Sequence, residues 1–439
     1  MVSTNEMTSS GNSIQEEQGY KIMGMSIPVF LTFSMIVAVA TVMGVLPKGL
    51  VGAVPFMMVL GAILNEVGNR TPIIKDFFGG GPIVIIFGSA ALFTYQIIPT
   101  AVTDIVVTFT KAGGFLNFYI AALITGSILG MDRKLLMKAS LRYLPAILGG
   151  IVVALGLVGI VGGLIGYGVK EAILYIGVPI MGGGMGAGAV PLSEMFGEVM
   201  NVDVSKMLSI MIPALAMGNA MAIVAAGILN RIGKKNQKLT GNGELMRVQD
   251  EDFKATDEKK SEITLEGMAL GMLMATSFYV LGKILGAFLP IHSYALMIIS
   301  VAAVKALGIL PRKYEEGAFY FFRFVMVAWT PALLVGIGAA YTDLGAVISA
   351  FTLQYIVLVA VVIFGAVVGS GFVGYFMGFY PIESAITAGL CMANMGGTGD
   401  VAVLSASKRM ELMPFAQISS RLGGAFIIIL ATALLKLFM

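Results

Sequence analysis

The stretches PIMGGGMGAGAVPLS (179–193) and CMANMGGTGDVAVLSA (391–406) decide how this chain folds. Each carries a GGxG tetrapeptide, Gly183-Gly184-Met185-Gly186 and Gly396-Gly397-Thr398-Gly399, inside an apolar run too broken by Gly and Pro for an ordinary spanning helix. In hydrocarbon every backbone N–H and C=O needs a partner, so such a turn is tolerable only if buried in protein or lining a wet cavity. Glycine reaches positive φ and lets a backbone approach a ligand closely. Helices leaving the turns aim free N–H groups at an anion, and free carbonyls can hold a cation. Close helix packing, the ordinary use of membrane glycines, accounts for Gly52, Gly61 and Gly166.

The surrounding chain is built for lipid. Of its 439 residues 57% are hydrophobic and 12% charged, with a mean hydropathy of +0.91, where a soluble domain has about a quarter of its residues charged. Stretches near or above the roughly 17–25 apolar residues of a span fall at about 24–46, 49–67, 82–98, 115–130, 143–168, 204–229, 265–289, 293–310, 318–340, 345–376 and 414–438, predicting eleven spans. The first lacks a preceding basic run and is too long for a cleaved signal, so it reads as a span. A single cysteine (Cys391) and a single histidine (His292) argue against a disulfide framework, a His/Cys metal cluster and an imidazole relay. No cofactor beyond a coupling ion is expected. The net charge of +3 speaks for topology rather than for nucleic acid.

Basic residues set the orientation. Arg133, Lys134, Lys138 and Arg142 lie between spans four and five, and Arg231, Lys234, Lys235 and Lys238 follow span six, so both loops belong in the cytoplasm. Alternate crossings then place the N-terminus inside and the C-terminus outside. The first glycine-rich hairpin enters from outside and the second from inside. A shift of 213 residues superposes the two GGxG turns, Ala172-Ile173 on Ala385-Ile386, and Ala189-Val190 on Ala402-Val403. Spans two to six thus correspond to spans seven to eleven, and an odd number of spans makes the second repeat inverted. Inverted repeats with interrupted helices are the architecture of secondary transporters. The expected fold is an all-α polytopic membrane protein: a cytoplasmic tail (1–23), an extra span (24–46), a first repeat (47–230) with hairpin 171–197, a linker (231–263) and a second repeat (264–439) with hairpin 381–405. The mixed-charge linker reads as a solvated tether.

Arg421 sits about two turns inside the last span, where a cation costs roughly 3 kcal/mol or more unless paired or facing water. That span has no carboxylate, so its partner is either Asp400 or the carboxylate of a substrate, which arginine's planar fork suits. Arg409 and Arg323 read as side chains snorkelling to the cytoplasmic surface. Asp400 follows the second turn directly and is a candidate to hold a cation, take up a proton, or simply cap a helix. Asn394, Thr398, Ser405 and Ser193 offer neutral oxygens nearby. The thirty methionines mostly fill the core.

Both hairpin segments, with PFAQISSRLGG (414–424) and FLNFYIAALITGSILGMDRKLL (115–136), resemble the signature segments of the 2-hydroxycarboxylate transporter family, the bacterial citrate and malate carriers. The resemblance covers nearly all of the chain after about residue 20. It implies a homodimeric elevator-type symporter of the bacterial cytoplasmic membrane, with a dimerising scaffold and a mobile domain holding both hairpins. It further implies a substrate between the hairpin tips and the last-span arginine, at Gly186, Gly397, Thr398 and Arg421, and sodium on mostly backbone oxygens at Ile180, Gly182, Met392 and Asn394. Two positions depart: the citrate carriers place an asparagine where Met185 stands and a second arginine where Met395 stands. A smaller or less charged substrate is implied, L-malate before citrate. Asp400 matches the cation-coupled branch, whereas exchangers carry an amide there. The function expected is uptake of a hydroxy di- or tricarboxylate by symport with Na⁺, which the hairpin oxygens suit, or with H⁺. The alternatives are a precursor–product exchanger and the sodium-translocating subunit of a membrane decarboxylase.

Overall fold

The computed structural model describes residues 20–77, 80–131, 133–247, 264–289 and 291–438, and for a few positions within them, including Gly397 and Thr398, the backbone alone. The principal helices are α1 (Ile27–Val42), α2 (Leu50–Arg70), α3 (Gly81–Thr94), α4 (Thr100–Lys111), α5 (Phe115–Leu129), α6 (Arg133–Leu164), α7 (Val204–Lys235), α8 (Leu265–Phe288), α9 (Ser293–Leu307), α10 (Arg312–Tyr341), α11 (Leu353–Phe376) and α12 (Met410–Phe438).

Among the described residues seven helices are long and apolar enough to cross a membrane (α2, α6 from Arg142, α7, α8, α10, α11 and α12), and an eighth if α4 and α5, bent by 42°, form one span. The chain is therefore a multi-pass membrane protein. Three further spans expected from hydropathy, α1, α3 and α9, have only 16, 14 and 15 residues, fewer than a straight crossing requires. Counting apolar residues ran through non-helical flanks: α3 ends before Tyr95, and α9 ends at Gly308, which takes a left-handed C-cap. The reverse error hid α4, whose Thr100, Thr103, Asp104 and Thr108 dilute its hydropathy while Val102, Val106 and Phe109 are buried. The expected span 345–376 begins instead at Leu353, where Thr352 caps α11 by accepting from Tyr355 N at 3.2 Å. One small departure from an all-helical chain is a β-hairpin, Lys21–Ile22 paired with Met25–Ser26.

The helices pack in two groups. In one, α10 is surrounded by α2, α3, α4, α5 and α8. In the other, α6 lies along α11, with α7, α12 and both glycine-rich segments against them. Small residues set the closeness of α6 and α11: a Cβ added at Gly365 would lie 2.6 Å from Ala154 Cα, so nothing larger than hydrogen fits.

Each glycine-rich segment is a helical hairpin entered through a wide π turn, Ala172–Gly177 in the first and Ala385–Leu390 in the second. The chain reverses over 181–184 and 391–396 and leaves through Met185–Met200 and Gly397–Ser407. Gly184 (φ 109°, ψ −174°) and Gly396 (φ 86°, ψ −152°) occupy a region of backbone space open essentially to glycine alone. The 213-residue frame holds where the π turns begin and shortens by one across the reversal, so that Gly184 and Gly396 are the equivalent residues heading each outgoing arm.

The start of the linker is not the solvated tether expected. Helix α7 runs to Lys235, and Thr240 and Leu245 are buried. Tyr380 N donates to Leu245 O (2.9 Å), Arg247 N donates to Gly378 O (2.9 Å), and the Arg247 guanidinium lies 4.1 Å from the centre of the Tyr375 ring. This strap lies across the entry to the second hairpin. The charge-rich part of the linker, 248–263, and most of the tail 1–23 fall outside the described residues.

Candidate functional site

The hairpin tips meet backbone to backbone. A Cβ added at Gly184 would lie 2.8 Å from both Gly396 N and Met395 C. On the other side of the first tip, a Cβ at Gly424 would lie 2.7 Å from Gly182 O, so the Gly423-Gly424 pair lets α12 seat against the turn. Beside these tips is a cavity of about 420 Å³. Gly183, Met185, Gly186, Met395, Gly396 and Asp400 line it from the hairpins, with Gln417, Ser420 and Arg421 from α12. Its opposite wall comes from the other helical group, through Tyr119 and Ser127 of α5 and Phe322, Met326 and Thr330 of α10.

Arg421 stands on a π turn of α12, Ser419–Gly423, a local widening that recurs at functional sites. Its Nη1 is 3.5 Å from Ser127 O, at the limit of a hydrogen bond, and its guanidinium is 5.9 Å from the Phe322 ring centre, near the outer range of a cation–π contact. Among the described residues no carboxylate comes within 4.0 Å of it. Of the two partners expected for Arg421, Asp400 is thus not in ion-pair contact.

Asp400 is 1% exposed. It accepts from Asn394 Nδ2 at 2.9 Å, and Ser420 Oγ lies 3.1 and 3.2 Å from its two oxygens. Ser420 has a single proton and also lies 2.8 Å from Cys391 O. Whenever that proton points at Cys391, the Ser420 and Asp400 oxygens face each other with nothing positive between them, an arrangement that favours a bound cation or a proton there. Asp400 is not the helix cap weighed from sequence: Gly396 heads that arm, and Asp400 N donates to Gly396 O within its first turn.

The turns are held by buried amides. Asn394 Oδ1 accepts from Gly396 N at 2.7 Å, and Asn219 Oδ1, from the middle of α7, accepts from Met395 N at 3.2 Å. Ile180, Gly182, Met392 and Asn394, the expected sodium positions, are all buried around the tips. Of the residues expected at the substrate, Met185, Gly186, Met395 and Arg421 line one cavity. The side chains at Gly397 and Thr398 lie outside the described residues, although their backbone opens the second outgoing arm. Ser193 and Ser405 are not part of this constellation: Ser193 donates back to Val190 O at 2.8 Å, and Ser405 is exposed.

Arg409 overturns its sequence reading. It is 2% exposed, its Nε donates to the fully buried Glu383 at 2.7 Å, its Nη2 to Thr240 Oγ1 at 2.8 Å and its Nη1 to Asn230 Oδ1 at 3.1 Å. Glu383 also accepts from Thr240 Oγ1 (2.6 Å) and from Gly241 N (3.0 Å). This is a structural ion pair tying the linker strap to the second hairpin, not a snorkelling side chain. Arg323 is exposed, as snorkelling requires. Sequence reasoning also missed Ser420, Asn219, Tyr119 and Thr330. Ser420 was signalled by the pair Ser419-Ser420 directly before Arg421, and Asn219 by being an amide in the apolar middle of a long helix.

Comparison of the sequence with known proteins points to one family. The 2-hydroxycarboxylate transporter family matches residues 22–433. The chain is 42% identical over 423 residues to the citrate/sodium symporter of Salmonella typhimurium (94% of either chain) and 38% identical over 431 residues to the Na⁺-malate symporter of Bacillus subtilis (97% of this chain, 95% of the relative). It is 39% identical over 423 residues to a malate transporter of Lactococcus lactis (95% and 98%). The chain belongs to the 2-hydroxycarboxylate transporter family, and it is a transporter, not an enzyme.

Proposed function

We propose that this protein takes up L-malate, and citrate less well, by symport with Na⁺ through alternating access in the bacterial cytoplasmic membrane. The observation that carries the reading is Arg421, a guanidinium lining the cavity beside two hairpin tips with no carboxylate among the described residues in contact. One substrate carboxylate pairs with that guanidinium in bidentate fashion. The second lies toward the tips at Gly186, Gly397 and Thr398, where the outgoing arms begin and helical N–H groups are unspent. Met185 and Met395 contribute no charge, so a dianion is neutralised more fully here than a trianion. Relatives named for citrate and for malate with sodium support the substrate class and the ion.

Na⁺ binds on backbone oxygens near Ile180, Gly182, Met392 and Asn394, and Asp400 with Ser420 holds a second cation or the proton of an H⁺-coupled cycle. Bringing the charge of the dianion and that of the cations into one site lowers the cost of moving either through lipid. The two hairpin-bearing repeats, inverted in the membrane, supply the exchange of conformations, with the cytoplasmic N-terminus and external C-terminus set by the basic loops. The α10-centred helices are the scaffold of a homodimer, and the α6–α11 group carries the hairpins across as a unit. The test is uptake of radiolabelled malate into proteoliposomes with Na⁺ and pH gradients imposed one at a time. Acceleration by an inward Na⁺ gradient is the expected result; dependence on the pH gradient alone moves the assignment to H⁺, and dependence on neither defeats symport.

A further inference from the structure

We propose that Tyr119 and Thr330, on the wall opposite the hairpins, read the 2-hydroxyl group of the substrate. The inference rests on the transport reading above and concerns how that site tells a hydroxy acid from the same acid without its hydroxyl. Thr330 Oγ1 lies 2.6 Å from Met326 O, an atom that can only accept, so the single Thr330 proton is committed there. Tyr119 Oη lies 2.8 Å from Thr330 Oγ1 and 3.1 Å from Met326 Sδ. With the threonine proton committed, Tyr119 is the donor to Thr330, and its own oxygen keeps its lone pairs. Hydrogen bonds in a chain polarise one another, so that oxygen is the better acceptor for standing at the end of one.

Its position suits the role. A Cβ added at Gly186 would lie 3.5 Å from Tyr119 Oη, which therefore stands at the tip of the first hairpin, and both Tyr119 and Thr330 line the cavity with Arg421. What such a group recognises is an O–H donor. An ionised carboxylate only accepts, so it gains nothing at Tyr119, while the hydroxyl of a 2-hydroxycarboxylate supplies the missing proton. Ser127, the other hydroxyl residue of this wall, has its carbonyl beside Arg421 at the carboxylate end.

Malate and succinate differ by this hydroxyl alone, so the test is inhibition of radiolabelled malate uptake by each in proteoliposomes. Wild type should favour malate, and Tyr119→Phe should reduce the malate-to-succinate ratio about ten-fold, the size of one hydrogen bond with its unsatisfied partner. Succinate itself should bind Tyr119→Phe as it binds wild type. Thr330→Val should reduce the ratio by less, since the tyrosine proton then turns to Met326 Sδ, 3.1 Å away, and Thr330→Ser should restore it. If Tyr119→Phe does not fold, the Thr330 pair of variants carries the test. Equal loss for both acids, or an unchanged ratio, overturns the inference. A wild type that moves malate and succinate alike also overturns it while leaving transport standing, whereas a wild type that moves neither refutes the transport reading and this inference together.

Discussion

Arg409→Ala should cripple the protein by unfolding it. The guanidinium is 2% exposed and Glu383 is fully buried, joined at 2.7 Å, with Thr240, Gly241 and Asn230 completing the network. Deleting the arginine leaves an ionised carboxylate buried with two remaining donors, Thr240 Oγ1 and Gly241 N. Breaking a buried pair from one side costs about 3–5 kcal/mol, because the surviving charge is uncompensated. Glu383→Gln in the same background removes that charge and should recover part of the loss, leaving the cavity where the guanidinium was. The assay is the unfolding free energy in mixed detergent micelles, paired with uptake normalised to folded protein. The account predicts that Arg409→Ala is destabilised by at least about 3 kcal/mol and that any folded fraction still recognises malate. An Arg409→Ala protein as stable as wild type would refute the network's role, and a stable one with lost malate affinity would make Arg409 a binding residue.

Three further outcomes are expected. Arg421→Ala should keep wild-type stability but lose malate affinity by about 2–5 kcal/mol, the cost of truncating one partner of a buried charge pair, measured by substrate-induced thermal stabilisation. Gly184→Ala combines a glycine-only backbone with a Cβ 2.8 Å from Gly396 N, so it should cost more than the roughly 1–3 kcal/mol of backbone strain alone. Gly396→Ala, where the nearest such atom is 3.6 Å away, should be the milder of the two in thermal unfolding and in uptake. Asp400→Asn should retain malate binding and lose the stimulation of uptake by cations; retention of full cation dependence would remove Asp400 from the coupling site.

Much of this was legible because membranes make sequence patterns strict. The GGxG turns could not be ordinary spans, and the structure places both in one cavity with Arg421. Hydropathy failed where length and apolarity part company. Helix α4 is too polar to register yet buries one face, and α3 and α9 register yet end at 14 and 15 residues. The one-residue slip between the hairpins was invisible because Gly184 meets a glycine in either register, Gly397 at a shift of 213 and Gly396 at a shift of 212. Arg409 was misread because its partner, Glu383, is 26 residues away and its second anchor, Thr240, lies in a linker whose composition signals solvent. Long-range pairing of that sort leaves no periodicity to detect. Tyr119 and Thr330 likewise look like ordinary interior residues of α5 and α10 until the two helices are packed together.

The central claim is that Arg421 and the paired tips form a site for a carboxylate dianion moved with Na⁺. The most direct measurement is the steady-state ratio of malate inside to outside proteoliposomes of purified protein under an inward Na⁺ gradient, for wild type and for folded Arg421→Ala. The account predicts a ratio well above one for wild type, collapsing when the Na⁺ gradient is dissipated, and no accumulation for Arg421→Ala. A wild-type ratio that stays at one, or an Arg421→Ala protein that accumulates malate as wild type does, would contradict it.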